Sequence, residues 1–467
     1  MTSTVPMRPE AELLAGLAEY VAIPSDSRSA SAETMRAAAG WLAGRLSFAA
    51  GRVEETDGFP VVRGEWLGAP GAPTVLVYGH YDVQPTGDLA EWHTPPFELV
   101  VDGSVHGGVV RGRGVTDDKG PVLLVVEMAR AMLAERGALP LNVQFLVEGE
   151  EEIGSPHLPA YVHAHADELA ADLVISADGA MWRPTEPSIS IASKGLVSMD
   201  IVVTGAAEDL HSGRYGGTVA NPVHALSTIL AGLHGLHGLH GLHGPDGSVA
   251  VPGFYDGVDD LSPGRRTEID AVPFDEEEYR ATVGAPELFG EAGYGTLHRL
   301  WERPTLEVNG ITAGGKYTVI PHRAVGHVSC RLVGRQDPDR VVAAIGAHVA
   351  ALAVPGVRVE VRVDEGRVPA YRIDPDHPAV TAAREALAEV YPGQEVLLAV
   401  IAGTLPATTL FETALGAKTL FFSFATADEK HHAPNEFLRI ARIAEGMRAW
   451  AALWDRLAAW TPAEVGR

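Results

Sequence analysis

The chain of 467 residues is predicted to be an α/β protein: a central mixed, mainly parallel sheet flanked by helices, interrupted by an α+β two-layer domain. Three observations carry this. Short apolar runs alternate with helical patterns in the first half, as strands crossing over to parallel neighbours require. In the middle the strands alternate apolar and polar residues, the mark of a sheet with one face open to water. After residue 370 the first pattern returns, so one domain is read as inserted into the other.

The elements follow in order. Residues 10 to 22 place Leu13, Leu14, Leu17, Tyr20 and Val21 at helical spacing, and 32 to 47 carry Met35, Leu42 and Leu46 on one face of a second helix. Strands are expected at 74–79 (TVLVYG), 141–148 (LNVQFLVE) and 172–177 (DLVISA). Between the first two lies a helix over 119–136, with Pro121 tolerated in its first turn and Gly137 at its end. The middle section gives alternating strands at 189–205, 319–334 and 357–363, with helices at 220–233 and 337–352. Last come a helix at 377–390, an apolar run at 418–424 (KTLFFSF) and a helix over about 436–458. The domain boundaries expected are 1–190 with 368–467, and 191–367.

Composition excludes several classes. The 36 basic against 61 acidic residues give a formal charge of −25, which repels nucleic acid and suits divalent cations. A single cysteine, Cys330, rules out an internal disulfide and a cysteine-rich metal site. The start, MTSTVPMRPEAELLAGL, lacks the pattern of a signal peptide. No uncharged apolar stretch reaches the roughly 18 residues of a membrane span. A cytoplasmic protein with no nucleic-acid or membrane partner is the expectation. The tract GLHGLHGLHGLHG at 232–244 resembles a metal-binding repeat. Glycine at every third position disfavours a helix, so an exposed extension or loop is expected.

The chemistry gathers behind the strands. In α/β sheets, ligand sites lie beyond the carboxyl ends of the strands. His80 and Asp82 end or follow one run; Glu148, Glu151 and Glu152 follow another; Asp178 follows a third; His431 and His432 follow KTLFFSF; Asp117 and Asp118 precede a helix. If these strands are neighbours, carboxylates and imidazoles converge, and two divalent cations would relieve their repulsion. Imidazole with carboxylate and no thiolate suits zinc, with manganese or cobalt as alternatives. Paired ions would activate a shared water and polarise a carbonyl, and a glutamate would move the proton to a leaving amine: amide hydrolysis. From position alone, Glu148 and Glu150 compete with Glu151 and Glu152, His431 with His432, and Asp118 with Asp117.

The phrases GHYDVQP, GRGVTDDKGP, EGEEEIGS, ISADG, DLHSGRYGG, GKYTVIP and HHAPNE resemble, in order, those of the carnosinase and aminoacylase family of dinuclear zinc peptidases. That family includes desuccinylases and glutamate carboxypeptidases, and the longer phrases look most like its cytosolic dipeptidase branch. The resemblance implies a zinc catalytic domain (1–190 and 368–467) with an inserted lid and dimerisation domain, and two Zn2+ per subunit. It implies His80 and Asp178 on one ion, Glu152 and His432 on the other, and Asp117 bridging, with a cis peptide bond to Asp118. Asp82 would orient His80, and Glu151 would act as general base and then acid on a metal-bridging hydroxide's behalf. His211 would steady the oxyanion, often across a homodimer, and Arg331 would contact the substrate carboxylate. Dipeptidases of this branch carry an arginine and then a Gly-Gly-Ser/Thr-Ile-Pro loop for the substrate's carboxyl end. Here the loop is VIAGTLP, residues 400–406. Gly403, Thr404 and Pro406 persist, while Val400 replaces the arginine and Ala402 the first glycine. Small dipeptides or related acyl-amino compounds are the expected substrates. An N-acyl amino acid deacylase is the alternative within the enzyme class, and a non-catalytic binding protein the alternative outside it.

Overall fold

A computed structural model of the chain describes residues 10–103, 107–233 and 246–466. By packing, it forms two compact units: Met1–Ala192, Ile373–Ile401 and Pro406–Arg467 make the first, and Ser193–Arg372 with Ala402–Leu405 the second.

The first unit is built on a six-stranded sheet in the order 52–54, 61–66, 142–148, 74–80, 173–176 and 418–421. Thr74–His80 pairs in parallel with Asn142–Glu148 and with Leu173–Ser176, which pairs in parallel with Lys418–Phe421. Val61–Trp66 and Arg52–Glu54 add an antiparallel edge. The sheet is therefore mixed, with four parallel strands, as the patterning predicts. These strands read as continuous apolar runs because both faces are covered: six of the seven residues of Thr74–His80 and of Asn142–Glu148 are buried. The helix Lys119–Arg136 runs over its expected span and ends at Gly137 in the left-handed conformation.

The second unit is an antiparallel sheet in the order 305–313, 323–332, 195–204, 358–363. The strand Gly195–Thr204 alternates buried and half-buried positions over most of its length. Its inward residues Val197, Met199, Ile201 and Val203 form a core with Leu226, Ile229 and Leu230 of the helix Pro222–Leu233, and with Ile345 and Val349 of the helix Pro338–Ala351.

Three local readings are corrected. The run 189–205 is two strands, Ser188–Ser193 and Gly195–Thr204. The run at 319–334 is broken at Pro321 into Val319–Ile320 and Arg323–Leu332. The last long helix begins at Ile440, because Phe437–Arg439 pairs with Val109–Arg111. The Gly-Leu-His tract lies, beyond Leu233, outside the described residues. None of the described helices is long and apolar enough to cross a membrane.

Candidate metal centre

Parallel strands present their carboxyl ends at one edge of a sheet, and the candidate ligands are found there. His80 is the last residue of its strand and is fully buried. Its backbone N–H donates to Asp118 Oδ2 at 3.1 Å. This approach needs Gly79: a Cβ there would sit 2.5 Å from the same oxygen and 2.4 Å from Val122 Cγ2. The peptide bond Asp117–Asp118 is cis, and this brings the structure into line with the expectation from the motif.

Two groups of side chains offer ligand atoms within 4.8 Å of one another: His80, Asp117 and Asp178, and Asp117, Glu152 and His432. Asp117 belongs to both. Its Oδ1 lies 3.1 Å from His80 Nε2 and its Oδ2 lies 2.9 Å from His432 Nε2. His432 Nε2 is also 3.2 Å from Glu152 Oε2. The other histidine nitrogen is occupied as a metal-binding imidazole requires: His80 Nδ1 is 3.0 Å from the carbonyl of Asp82. Asp82 is itself fully buried, and its two carboxylate oxygens accept from the backbone N–H groups of Glu151 and Glu152. One residue thus fixes His80's ring through its carbonyl and the turn that carries both glutamates through its carboxylate.

The donor set fits divalent cations. Three carboxylates and two imidazoles occupy a mostly buried space, and the cluster without cations retains protons instead. Burial raises Glu151 well above the usual carboxylate range, with Asp178, Glu152 and Asp117 adding to it against His80. Burial likewise pushes Asp178 up to about 6. Hydrogen bonds to Asp117 and Glu152 raise His432 to about 10. Burial would lower His80, but Asp117 and Asp82 raise it well above its ordinary value. Cations replacing those protons would satisfy the same oxygens and nitrogens.

Several competing residues are otherwise engaged. Glu148 accepts from Tyr78 Oη at 2.6 Å and Ser155 Oγ at 2.9 Å. Glu150 faces His157 Nδ1 at 2.8 Å. Asp118 receives the His80 N–H, and His431 is in neither group. Sequence reasoning missed Glu436, although it ends the HHAPNE phrase. It is fully buried, pairs with Arg113 at 2.8 Å, and accepts from the N–H groups of Gly114, Thr116 and Asp117 at 2.9, 2.9 and 3.3 Å. It therefore shapes the loop that presents Asp117. Gln84, the glutamine of GHYDVQP, was also missed; its amide donates to Glu152 Oε2 at 2.8 Å.

The remaining sequence candidates belong to the second unit. His211 is exposed, and its Nδ1 accepts from the Gly213 N–H at 3.1 Å. Arg331 Nη1 donates to Thr404 Oγ1 at 2.7 Å, and that hydroxyl donates to the carbonyl of Lys194 at 2.6 Å. Gly403 accepts from the Lys194 N–H at 3.0 Å. The loop at 402–405 is thus tied to Arg331 within one unit.

Known proteins place the chain in a family. A model described as peptidase family M20/M25/M40 matches residues 76–456. A Cys-Gly metallodipeptidase of Schizosaccharomyces pombe is 29% identical over 86% of this chain and 84% of its own length. The human Beta-Ala-His dipeptidase is 29% identical over 85% of this chain and 78% of its own. Among solved structures, an M20 family metallo-carboxypeptidase of Sulfolobus solfataricus superposes with a TM-score of 0.82 at 29% identity, covering 97% of this chain and all (100%) of the other. The di-peptidase Dug1p of Saccharomyces cerevisiae gives 0.78 at 27% identity, covering 96% of each chain. With its parallel-strand site and a family match across most of its length, the chain belongs to peptidase family M20/M25/M40 and is a hydrolase acting on peptide bonds.

Proposed function

We propose that the protein is a metal-dependent dipeptidase using two zinc ions, with manganese or cobalt as substitutes. The observation that carries this reading is the sharing of Asp117 between two ligand groups. His80 and Asp178 would hold one ion, Glu152 and His432 the other, and Asp117 both. Bound there, the ions would supply Lewis acidity to a water and to the scissile carbonyl. Glu151 is the base and then the acid. It stands beside the ligand Glu152, and burial already sets its carboxyl apart from the usual carboxylate range in the metal-free protein. Asp82 orients His80 and the Glu151–Glu152 turn. Support for dipeptides comes from the relatives named above.

The second unit is proposed as lid and dimerisation domain. Arg331, with Gly403 and Thr404 beside it, takes the substrate carboxylate, and His211 steadies the oxyanion from the partner subunit. A sedimentation experiment finding a monomer with full activity at nanomolar concentration would remove the trans role of His211.

The second reading, an N-acyl amino acid deacylase, is favoured by Val400 and Ala402, which depart from the dipeptidase loop. A mixed panel of dipeptides and N-acyl amino acids, read by mass spectrometry, separates the two. Cleavage of dipeptides supports the first; cleavage only of acylated or carboxyl-blocked compounds supports the second. Glu151→Gln should keep its metal and lose turnover by roughly 10²–10⁴-fold. Wild-type protein that binds such compounds without hydrolysing any would point to the non-catalytic alternative.

A further inference from the structure

The second unit contains a cavity of about 540 Å³, within the roughly 300–1,000 Å³ of ordinary ligand sites. One part of its wall is cationic. Arg331 and Lys194 both line it. Among the described residues, neither makes an ion pair: Arg331 Nη1 donates to Thr404, and Lys194 Nζ donates to the carbonyls of Arg299 and Arg303 at 3.1 and 2.7 Å. The lining carboxylate Glu291 is already paired with Arg303. Glu287 and Glu307 also line the cavity, and neither pairs with Arg331. Burial lowers Lys194 to about 7, with Arg331 adding to the effect. These two groups thus repel each other; Glu302 offsets this at Lys194 but is itself paired with Arg265 and Arg372, and an incoming carboxylate would add countercharge.

The rest of the wall is apolar. Tyr255, Tyr279, Val283, Leu288, Phe289 and Leu300 line it. Val283 and Phe289 leave 52% and 68% of their surface in solvent, apolar area that a ligand in the cavity can cover. Ala402, which stands where the dipeptidase loop has its first glycine, lines the same cavity and adds a methyl group.

We infer that this cavity selects dipeptides whose carboxyl-side residue is large and apolar, above all aromatic, with its carboxylate on Arg331 and its side chain against Phe289, Leu288 and Tyr279. The inference rests on the dipeptidase reading for its substrate class. It assigns specificity to the segment 279–289, which would discriminate without the arginine that Val400 replaces. Apolar burial supplies selectivity that a second cation would otherwise give.

Two measurements on metal-loaded protein test it. The first is the ratio of kcat/KM for Ala-Phe over Ala-Gly, expected at about 10–100, the range that burying one large apolar side chain supplies. Phe289→Ala, an exposed position whose truncation leaves the core intact, should lower that ratio at least about fivefold. The second is calorimetric binding of free L-phenylalanine against glycine, with the same variant. A ratio near one, or one that Phe289→Ala does not move, together with L-phenylalanine binding no tighter than glycine, overturns the inference. If neither dipeptide is cleaved but L-phenylalanine binds more tightly than glycine and Phe289→Ala abolishes the difference, the cavity assignment stands and the dipeptidase reading falls.

Discussion

The two histidines of the candidate centre are held in different ways. His80 ends a central strand, is fully buried, and has its backbone N–H, its Nδ1 and its Nε2 all engaged. His432 sits on a loop with φ of 59°, in the left-handed region, and its side chain is 56% exposed. Lys430 and Asn435 in the same loop also have positive φ. Such residues cost on the order of 1–3 kcal/mol each and persist where the surroundings impose them. Asn435 provides part of that imposition: its amide donates to the carbonyl of Glu91 at 2.8 Å and its oxygen accepts from the His93 N–H at 2.6 Å. One candidate ligand is set by the sheet and the other by a strained, tethered loop. The first half of the centre is therefore preorganised, and the second depends on keeping the loop in place.

The largest effect should come from the residue both halves share. Asp117→Asn removes the negative charge that faces both imidazoles, and is expected to empty both positions and reduce turnover by at least about 10³-fold. Metal analysis showing two ions still bound would dissolve the idea of a shared ligand. Next, the halves can be set against each other. His432→Ala should lose one ion and keep the other, whereas His80→Ala, which opens a hole beside Asp82 and Asp118, should lose one ion and also lower the thermal midpoint. Equal behaviour of the two variants in metal content and melting would mean that the exposed loop is no weaker than the strand end.

The smallest effect concerns protons. Hydrogen bonds raise His432 to about 10 in the metal-free protein, and His80 is raised above its ordinary value. Ligation requires the neutral ring, so metal binding should release at least about one proton at pH 7, that of His432, and tighten as pH rises. Calorimetry in buffers of different ionisation enthalpy reads this number. A value near zero would show that the carboxylates do not hold the rings protonated.

The sequence made the first half of the centre legible because strand ends announce themselves. An apolar run followed by His80 or by Glu151 and Glu152 carries both the element and the candidate site residues. It was weaker where residues act through backbone contacts. Glu436 stands beside no ligand in the chain, and its role depends on loop N–H groups more than 300 positions away. The helices Pro263–Asp270 and Glu276–Val283 were not anticipated either. The first buries only Ile269 among its eight residues and the second none, so neither shows the apolar period that marks a helix. Their N-caps were visible nonetheless: Ser262 and Asp275 each accept from N–H groups of the first turn. The late start of the final helix was hidden for another reason. Phe437–Arg439 has a helix-compatible composition, and its pairing with Val109–Arg111 and its N–H bonds to Glu429 hold it extended.

The link between Glu436 and the loop of residues 113–117 also fixes when the enzyme can exist. Arg113 and Gly114 leave the ribosome long before their partner, which follows them by 323 and 322 positions. His432 is almost as late. A nascent chain can therefore complete most of its central sheet while Asp117 still lacks that support and the candidate centre its second imidazole. A chain released before residue 432 would lack both that support and the second candidate imidazole, and is expected to be inert toward peptides.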